Sequence, residues 1–510
     1  MAKKRTQCET GTNAAGAKTM NQAPAGQAAD AQGLSKALAA VSGGAPLCAH
    51  SGRVVPGAVF VAVSPDVTAA AIHAAEAVTR GAAYVVAGPG VTLSPGGAAR
   101  LLPTPNPRLV LGELAKAAHG ADYSGFSLIG VTGTNGKTTV CFLVEHLLAS
   151  AGWPTGLLGT VAYRWPGGSR PATLTTPGCL DLHGLFAEMI AAKTRAAVME
   201  VSSHALDQDR VAGLSFAAAA FTNLTQDHLD YHGDLETYFQ AKTRLFTHYL
   251  TAPDRAVVNF DDPHGPRLLD MLPGSVGYGL GPSGTGNWRP LRGEILSHDG
   301  SGLTLGVSFE GKAWEIVSPL IGRYNAQNLL AAMGIGLVLG LSPAAMAALS
   351  GFGGVPGRLE RVVNDRGLNV FVDYAHTPDA LENVLRAVRE VTAGRLFVVF
   401  GCGGDRDRAK RPLMAAAVAA KADVAVLTSD NPRHEAPEAI MDDARPGLSG
   451  AARVLEDPDR RRAIAMALAE MTSDDVLVVA GKGHEAYQQI GDEKFPFHDA
   501  TVVRELARCA

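Results

Sequence analysis

An α/β fold in three domains is what this sequence predicts, and three observations carry that expectation. Short apolar runs alternate with helical patterns along almost the whole chain, as strands buried on both faces of mainly parallel sheets do. A glycine-rich turn, Gly133–Gly136, joins one of those runs to a helix. A cluster of breakers, Gly351-Phe-Gly-Gly-Val-Pro-Gly357, then interrupts the alternation before it resumes. The 510 residues suffice for about three ordinary domains, and with 46% hydrophobic and 18% charged residues each can fill a core. The layout expected is a tail over 1–32, then domains over 33–122, 123–350 and 351–510.

Residues 1–32 are rich in Ala, Gly, Gln, Asn and Thr and lack aromatic residues. They cannot offset the entropy of ordering, so disorder is expected there. Val59–Val63 reads as a strand, Ala69–Arg80 as a helix ended by Gly81, and Ala83–Ala87 as the next strand. Arg108–Leu111 is a further apolar run, leading into a helix to Ala118. In the second domain Leu128–Val131, Leu157–Val161, Ala196–Met199, Ala217–Thr222 and Arg255–Asn259 read as strands. Thr138–Ser150, Tyr238–Leu250 and Asn325–Leu339 read as helices, and 275–318 as short antiparallel strands with Gly turns. The third domain alternates through Val370–Asp373, a helix Asp379–Val391, Leu396–Phe400, a helix Arg411–Lys421, Val424–Thr428, a helix within 457–471 and Val476–Ala480. The fold class is thus a small N-terminal α/β domain, a central doubly wound P-loop domain and a C-terminal Rossmann-like domain. In such sheets ligands sit outside the carboxyl ends of the strands.

Composition narrows the partners. The net charge is −4 with Lys and Arg scattered, so no nucleic-acid-binding face is expected. Six cysteines lie far apart without a C-x-x-C pair, which favours reduced thiols over disulfides or zinc. Lys3-Lys4-Arg5 is not followed by an apolar run, and no stretch reaches the roughly 18 apolar residues of a membrane span. A cytoplasmic monomer without membrane insertion is the expectation.

The chemistry-bearing stretch is Ser127-Leu-Ile-Gly-Val-Thr-Gly-Thr-Asn-Gly-Lys-Thr-Thr139. A strand, a glycine loop and a helix N-terminus make a phosphate cradle, because free N–H groups and the positive end of the helix dipole point at the anion. Lys137 can reach the outer phosphates of a bound nucleotide, and the Thr138 hydroxyl can ligate Mg²⁺. The strict pattern wants Gly where Val131 stands, so the loop Gly133, Thr134, Asn135, Gly136, Lys137, Thr138, Thr139 is a variant. Glu200 ends an apolar run and can serve the same cation; alone it would read as a solvated acid. His228, in Asn223-Leu-Thr-Gln-Asp-His-Leu-Asp-Tyr-His232, can bind a second cation, though an isolated His is more often simply hydrogen-bonded.

Together with Gly322-Arg-Tyr-Asn-Ala-Gln-Asn328, Asp373-Tyr-Ala-His-Thr-Pro378 and Gly481-Lys-Gly-His-Glu485, these segments resemble the Mur ligase family in that family's order, over roughly residues 45–510. The resemblance implies an ATP-dependent ligase of peptidoglycan precursor synthesis, at the step adding meso-diaminopimelate to UDP-N-acetylmuramoyl-L-alanyl-D-glutamate. It implies that Gly133–Thr139 and Asn325 bind ATP and that Thr138, Glu200 and His228 serve Mg²⁺. It implies a catalytic set of Lys137, His228 and Lys242, the last as a carbamate acting on the metal; without the family Lys242 reads as a solvated helix lysine. Thr175, Thr176, Ser202, Gln208 and Arg210 match positions that hold the muramoyl dipeptide, and Ser51 matches the uridine pocket. Arg406, Asp430, Asn431, Pro432, Arg433, Gly481 and Glu485 match the diaminopimelate site, where Arg433 offers a planar fork for the distal carboxylate.

Two departures stand out. His50-Ser51-Gly52 replaces the family's Asp-Ser-Arg, and Ala69-Ala70 replaces a usual Asp-Gly pair. Leu174 also stands where relatives often have Asn. The altered first domain keeps open a non-catalytic nucleotide-binding paralogue, beside a lysine-adding or folylpolyglutamate-synthase-like ligase.

Overall fold

The computed structural model describes residues 31–94 and 99–508. The expected tail up to residue 30 lies outside the described residues; residues 31 and 32, placed in that tail by composition, open a helix, Ala31–Ser42. The chain divides into two compact units, one ending at Val110 and the other starting at Leu111.

The first unit holds a four-stranded parallel sheet in the order Leu47–Cys48, Val59–Val61, Tyr84–Ala87, Arg100–Pro103. Helix Val67–Thr79 packs on it through Ala70, Ala74 and Ala77 and is capped by Asp66, whose carboxylate accepts from the N–H groups of Thr68 and Ala69 at 3.2 and 3.1 Å. The apolar run Arg108–Leu111 is itself part of helix Pro107–His119, and the fourth strand comes before it, at Arg100–Pro103. Proline at the first helical position and Asn106 just before it favour that helix start.

The second unit carries two large sheets. The central sheet has eleven strands. Its parallel heart runs Arg289–Asp299, Val276–Gly279, Ala256–Asn259, Ala218–Phe221, Ser127–Thr132, Ala196–Glu200, Thr155–Leu158. Antiparallel strands extend it at both ends, Gly302–Phe309 with Lys312–Ser318 on one side and Ala162–Trp165 with Gly168–Pro171 on the other. Helices Lys137–Ser150 and Arg323–Val338 fill one face; Cys179–Ala191 and Leu235–Arg244 fill the other. Continuous apolar strands such as Ala218–Phe221 follow from burial on both sides.

The C-terminal sheet has six strands, ordered Glu360–Arg361, Asn369–Asp373, Val476–Ala480, Leu396–Phe400, Val424–Leu427, Val454–Glu456, with only the first antiparallel. Helices Pro378–Glu390, Lys410–Ala419 and Pro437–Ala444 cover one face, and Arg460–Glu470 with Asp499–Leu506 the other. The architecture is the three-domain α/β arrangement expected, wound on both faces of each large sheet.

A fully buried ion pair ties the last sheet together. Arg460 donates from Nε and Nη2 to the two Asp499 oxygens at 2.8 and 2.7 Å, and from Nη2 to the Ala480 carbonyl at 2.9 Å. Both side chains are fully shielded from solvent, so neither charge has water to fall back on. Asp499→Ala is therefore expected to lower unfolding free energy by about 3–5 kcal/mol. Glu505→Ala, which breaks the exposed Arg461–Glu505 pair, should cost less than about 1 kcal/mol. Denaturant midpoints of the two variants check the contrast.

Candidate functional site

The phosphate loop leaves the central strand Ser127–Thr132 and enters helix Lys137–Ser150. Gly133 and Gly136 hold φ of 148° and 85°, and a Cβ on either would collide, at 1.9 Å from Thr222 Oγ1 and 2.5 Å from Asn328 Oδ1. Only glycine lets neighbouring chain approach this closely. The loop is laced to the next strand end. Thr134 N–H donates to the Asn223 carbonyl at 2.9 Å and Asn135 N–H to Asn223 Oδ1 at 2.8 Å, while Thr222 Oγ1 donates to the Asn135 carbonyl at 2.6 Å. Lys137 Nζ donates to the carbonyls of Gly133 and Thr134 at 3.0 and 2.8 Å. Loss of hydration moves Lys137 below the ordinary lysine range, against the pull of Glu200; the Arg358 guanidinium pushes the same way as burial. Thr139 is buried in the first helical turn.

Glu200 is not a solvated strand-end acid. It is 2% exposed. Its Oε1 accepts from Thr138 Oγ1 at 3.0 Å and from Thr160 N–H at 2.8 Å, and its Oε2 from Thr160 Oγ1 at 3.2 Å. A hydroxyl and a carboxylate meeting at the loop are hard oxygen donors, which fit an Mg²⁺ that keeps phosphate and water among its ligands. Among the described residues no group of three or more His, Cys, Asp or Glu forms a metal cluster. His228 adopts a left-handed φ of 54°, and its ring packs edge-on against His204 at 4.9 Å. Burial lowers its pKa, opposed by Asp227 and helped by Lys137 and Lys242, which favours the form of the imidazole that can accept or ligate.

Lys242 is the clearest departure from a plain reading of its helix. It is 1% exposed, with Nζ donating to the Gly133 carbonyl at 2.9 Å and lying 4.2 Å from the Tyr238 ring centre. Burial, with Lys137 nearby, pushes its pKa well below the ordinary lysine range, against Asp227. Helix Leu235–Arg244 turns Tyr238 and Lys242 towards the loop, one turn apart on the same face.

Beside Glu200 the expected dipeptide-binding residues form one connected set. Thr176 Oγ1 donates to the Glu200 carbonyl at 2.9 Å and accepts from Ser202 N–H at 3.0 Å. Arg210 donates to the Thr176 carbonyl at 3.0 Å and to Gln208 Oε1 at 2.8 Å. Thr175 Oγ1 lies 3.2 Å from Thr160 Oγ1. Asn325 is buried at the start of helix Arg323–Val338, with Nδ2 on the Ile321 carbonyl at 2.8 Å and Oδ1 accepting from Asn328 at 3.0 Å. Ser51 lies in the first unit, buried, with Oγ 3.3 Å from His73 Nδ1.

A second set gathers at the carboxyl ends of the C-terminal sheet. The segment Asp430–Arg433 is not an exposed turn: Asp430 and Asn431 are 8% and 3% exposed. Arg433, at φ 50°, donates from Nη1 to the Gly404 carbonyl at 2.7 Å, which brings it beside the loop of the exposed Arg406. A Cβ on Gly404 would lie 1.9 Å from the Pro432 carbonyl oxygen, and one on Gly481 2.6 Å from Asp430 Oδ2. Asn431 Nδ2 donates to Glu485 Oε2 at 2.8 Å. Asp405 Oδ2 and His434 Nδ1, 2.8 Å apart, latch the two arginine-bearing loops together.

The two sets are joined. Asn135 Nδ2 donates to Asp379 Oδ2 at 3.5 Å, linking the phosphate loop to the first turn of helix Pro378–Glu390. Arg358, just past the glycine linker, lies 4.9 Å from the Tyr374 ring centre, and that ring lies 5.2 Å from His484, next to Glu485. Sequence reasoning did not single out Thr160, Arg358, Asp379 or Lys482. Lys482 lay inside a quoted motif; the others carry no local signal, because their partners are tens to hundreds of residues away.

Comparison with known proteins bears on this arrangement. Residues 131–336 match the Mur ligase middle domain, and residues 357–483 match the Mur ligase, glutamate ligase domain. A UDP-N-acetylmuramoyl-L-alanyl-D-glutamate–2,6-diaminopimelate ligase of Lawsonia intracellularis is 50% identical over 463 residues, covering 91% of this chain and 96% of its own. A protein of the same name from Thermosynechococcus vestitus is 49% identical over 418 residues, covering 81% and 82%. A solved structure of a ligase of that name aligns with a TM-score of 0.68 at 33% identity, over 91% of this chain and 94% of that one. MurF from Acinetobacter baumannii, 16% identical with a TM-score of 0.60, shares the fold. With both domain matches in sequence order and a half-identical relative spanning nearly its full length, the chain belongs to the Mur ligase family of ATP-dependent ligases.

Proposed function

We propose that this ligase adds meso-diaminopimelate to UDP-N-acetylmuramoyl-L-alanyl-D-glutamate at the expense of ATP, in the cytoplasm, as a monomer. The division of labour is the one expected from sequence: residues 33–122 take the uridine end, 123–350 ATP and the dipeptide, 351–510 the amino acid. One observation carries the choice of amino acid. Arg433, Asn431, Glu485 and Gly481 converge at one sheet edge, with the guanidinium of Arg433 held against the loop that bears Arg406. An acid and a base presented together suit a zwitterionic centre, which diaminopimelate has at its far end and lysine lacks. The relatives of high identity bear the name of that activity.

In the proposed chemistry the D-glutamate side-chain carboxylate takes the γ-phosphoryl group of ATP, releasing ADP and leaving an acyl phosphate. The unprotonated amine of diaminopimelate then attacks the acyl carbon, an amide forms and phosphate leaves. Lys137 and the loop N–H groups stabilise the charge that spreads over the phosphoryl oxygens. Thr138, Glu200 and His228, with a carbamate on Lys242, would hold Mg²⁺, which would supply further positive charge there. The carbamate reading is supported by the low proton affinity of Lys242, since only the free amine captures CO₂. Arg210, Gln208, Thr176 and Ser202, already bonded to one another, orient the dipeptide. The linker Gly353–Gly357, with φ of 101° at Gly354 and 68° at Gly357, supplies the hinge on which the amino-acid domain closes.

Three outcomes test this reading. Purified protein with ATP, Mg²⁺ and the muramoyl dipeptide should release ADP and phosphate only when diaminopimelate is added; equal release without it overturns the ligase. Arg433→Ala should lower kcat/KM for diaminopimelate by roughly 10- to 100-fold, with ATP binding intact, as loss of a charged hydrogen bond predicts; steady-state kinetics read it. Protein equilibrated with ¹³CO₂ should show a carbamate carbon by NMR that disappears in Lys242→Arg, and turnover of that variant should fall on the order of 10²-fold.

A further inference from the structure

Lys482 is a charged group with no access to water. Its side chain is fully buried, and its Nζ donates to Asn431 Oδ1 at 3.0 Å and to Glu485 Oε2 at 3.2 Å. Both acceptors belong to the second set of residues described above. A buried ammonium holds its acceptors firmly, because any rearrangement leaves the charge unpaired.

The bonds fix more than position. Asn431 Oδ1 accepts both from Lys482 and from Gln489 N–H at 2.9 Å. A flipped amide would set its NH₂ against an ammonium and an amide N–H at once, so only one orientation is allowed. Nδ2 is thereby turned to Glu485 Oε2, which now accepts from both Asn431 at 2.8 Å and Lys482. Oε1 is the oxygen these bonds do not use. A turn in which Glu485 N–H donates to the Lys482 carbonyl at 3.0 Å puts the two side chains three residues apart on one side. The Tyr487 ring, its centre 5.7 Å from Nζ, borders the cation.

We propose that Lys482 is a positioning residue for amino-acid selection: it sets which faces of Asn431 and Glu485 meet the incoming amino acid, and so sustains discrimination in favour of a substrate with a second amino-acid centre. This rests on the diaminopimelate reading above. Lys482 touches neither ATP nor the phosphate loop in this scheme. Its loss acts on one substrate only.

Lys482→Met, close in length and suited to a buried site, tests it by kinetics with each substrate varied in turn. KM for meso-diaminopimelate should rise about tenfold or more, the loss expected when a charged hydrogen bond no longer orders its acceptors. kcat should stay within about threefold, and KM for ATP and for the muramoyl dipeptide within about twofold. The preference in kcat/KM for diaminopimelate over L-lysine should fall by a factor similar to the KM change. Lys482→Gln, which keeps an N–H donor towards Asn431, should recover part of the loss; it also replaces the Met variant if that melts below assay temperature. An unchanged diaminopimelate KM, or an equal decline across all substrates, overturns the proposal while leaving the activity intact. A wild-type chain that releases no ADP in response to diaminopimelate overturns the activity itself, and the assignment of Lys482 with it.

Discussion

Charge taken out of water has to be answered by charge or by hydrogen bonds, and this molecule is arranged around that requirement. Both large sheets are mainly parallel, so their carboxyl ends gather polar loops next to apolar strands. Glu200, Lys242, Lys482, Arg460 and Asp499 all lie there or just behind, each 2% exposed or less. Each is secured by named partners: Glu200 by Thr138 and Thr160, Lys242 by the Gly133 carbonyl, Lys482 by Asn431 and Glu485, Arg460 by Asp499. The same network that makes burial tolerable leaves the site's side chains little freedom to wander.

That rigidity suits a two-step transfer. The first step needs phosphoryl oxygens, a carboxylate and cationic groups in register; the second needs an amine delivered to the activated carbon. In the proposed scheme the central sheet supplies the first group of residues and the C-terminal sheet the second. The two meet through hydrogen bonds such as Asn135 to Asp379 and Arg361 to the Gly300 carbonyl, and through Ile321 and Tyr324, which pack into the C-terminal core. On the proposed reading, a glycine hinge lets the two halves swing together without disturbing the geometry that each maintains.

Much of this was legible in the sequence, for a physical reason. Strands buried on both faces are unbroken apolar runs, so Ala196–Met199, Leu396–Phe400 and Val476–Ala480 stood out with little error at their ends. Elements with mixed composition did not. The strand Arg100–Pro103 begins with a charge and ends with proline, helix Cys179–Ala191 has no sharp cap signal, and the hairpin Tyr487–Ile490 with Glu493–Pro496 is largely polar. The proposed site residues followed the same rule. Motifs announced Lys137, Glu200 and Arg433, but the burial of Lys242 depends on where its helix packs. The grip of Lys482 on Asn431 spans 51 positions of sequence, which no local pattern reports.

The close approach of Gly404 to the Pro432 carbonyl has an evolutionary side. Even a methyl group at 404 would wedge apart the two loops that carry Arg406 and Arg433, whatever residue supplied it. The spacing of those loops is therefore set by the missing side chain at 404, independently of which residues stand at 406 and 433. A lineage that shifts its amino-acid preference would thus travel by swapping heads on a fixed frame, and descendants with different diets should still carry glycine at this point.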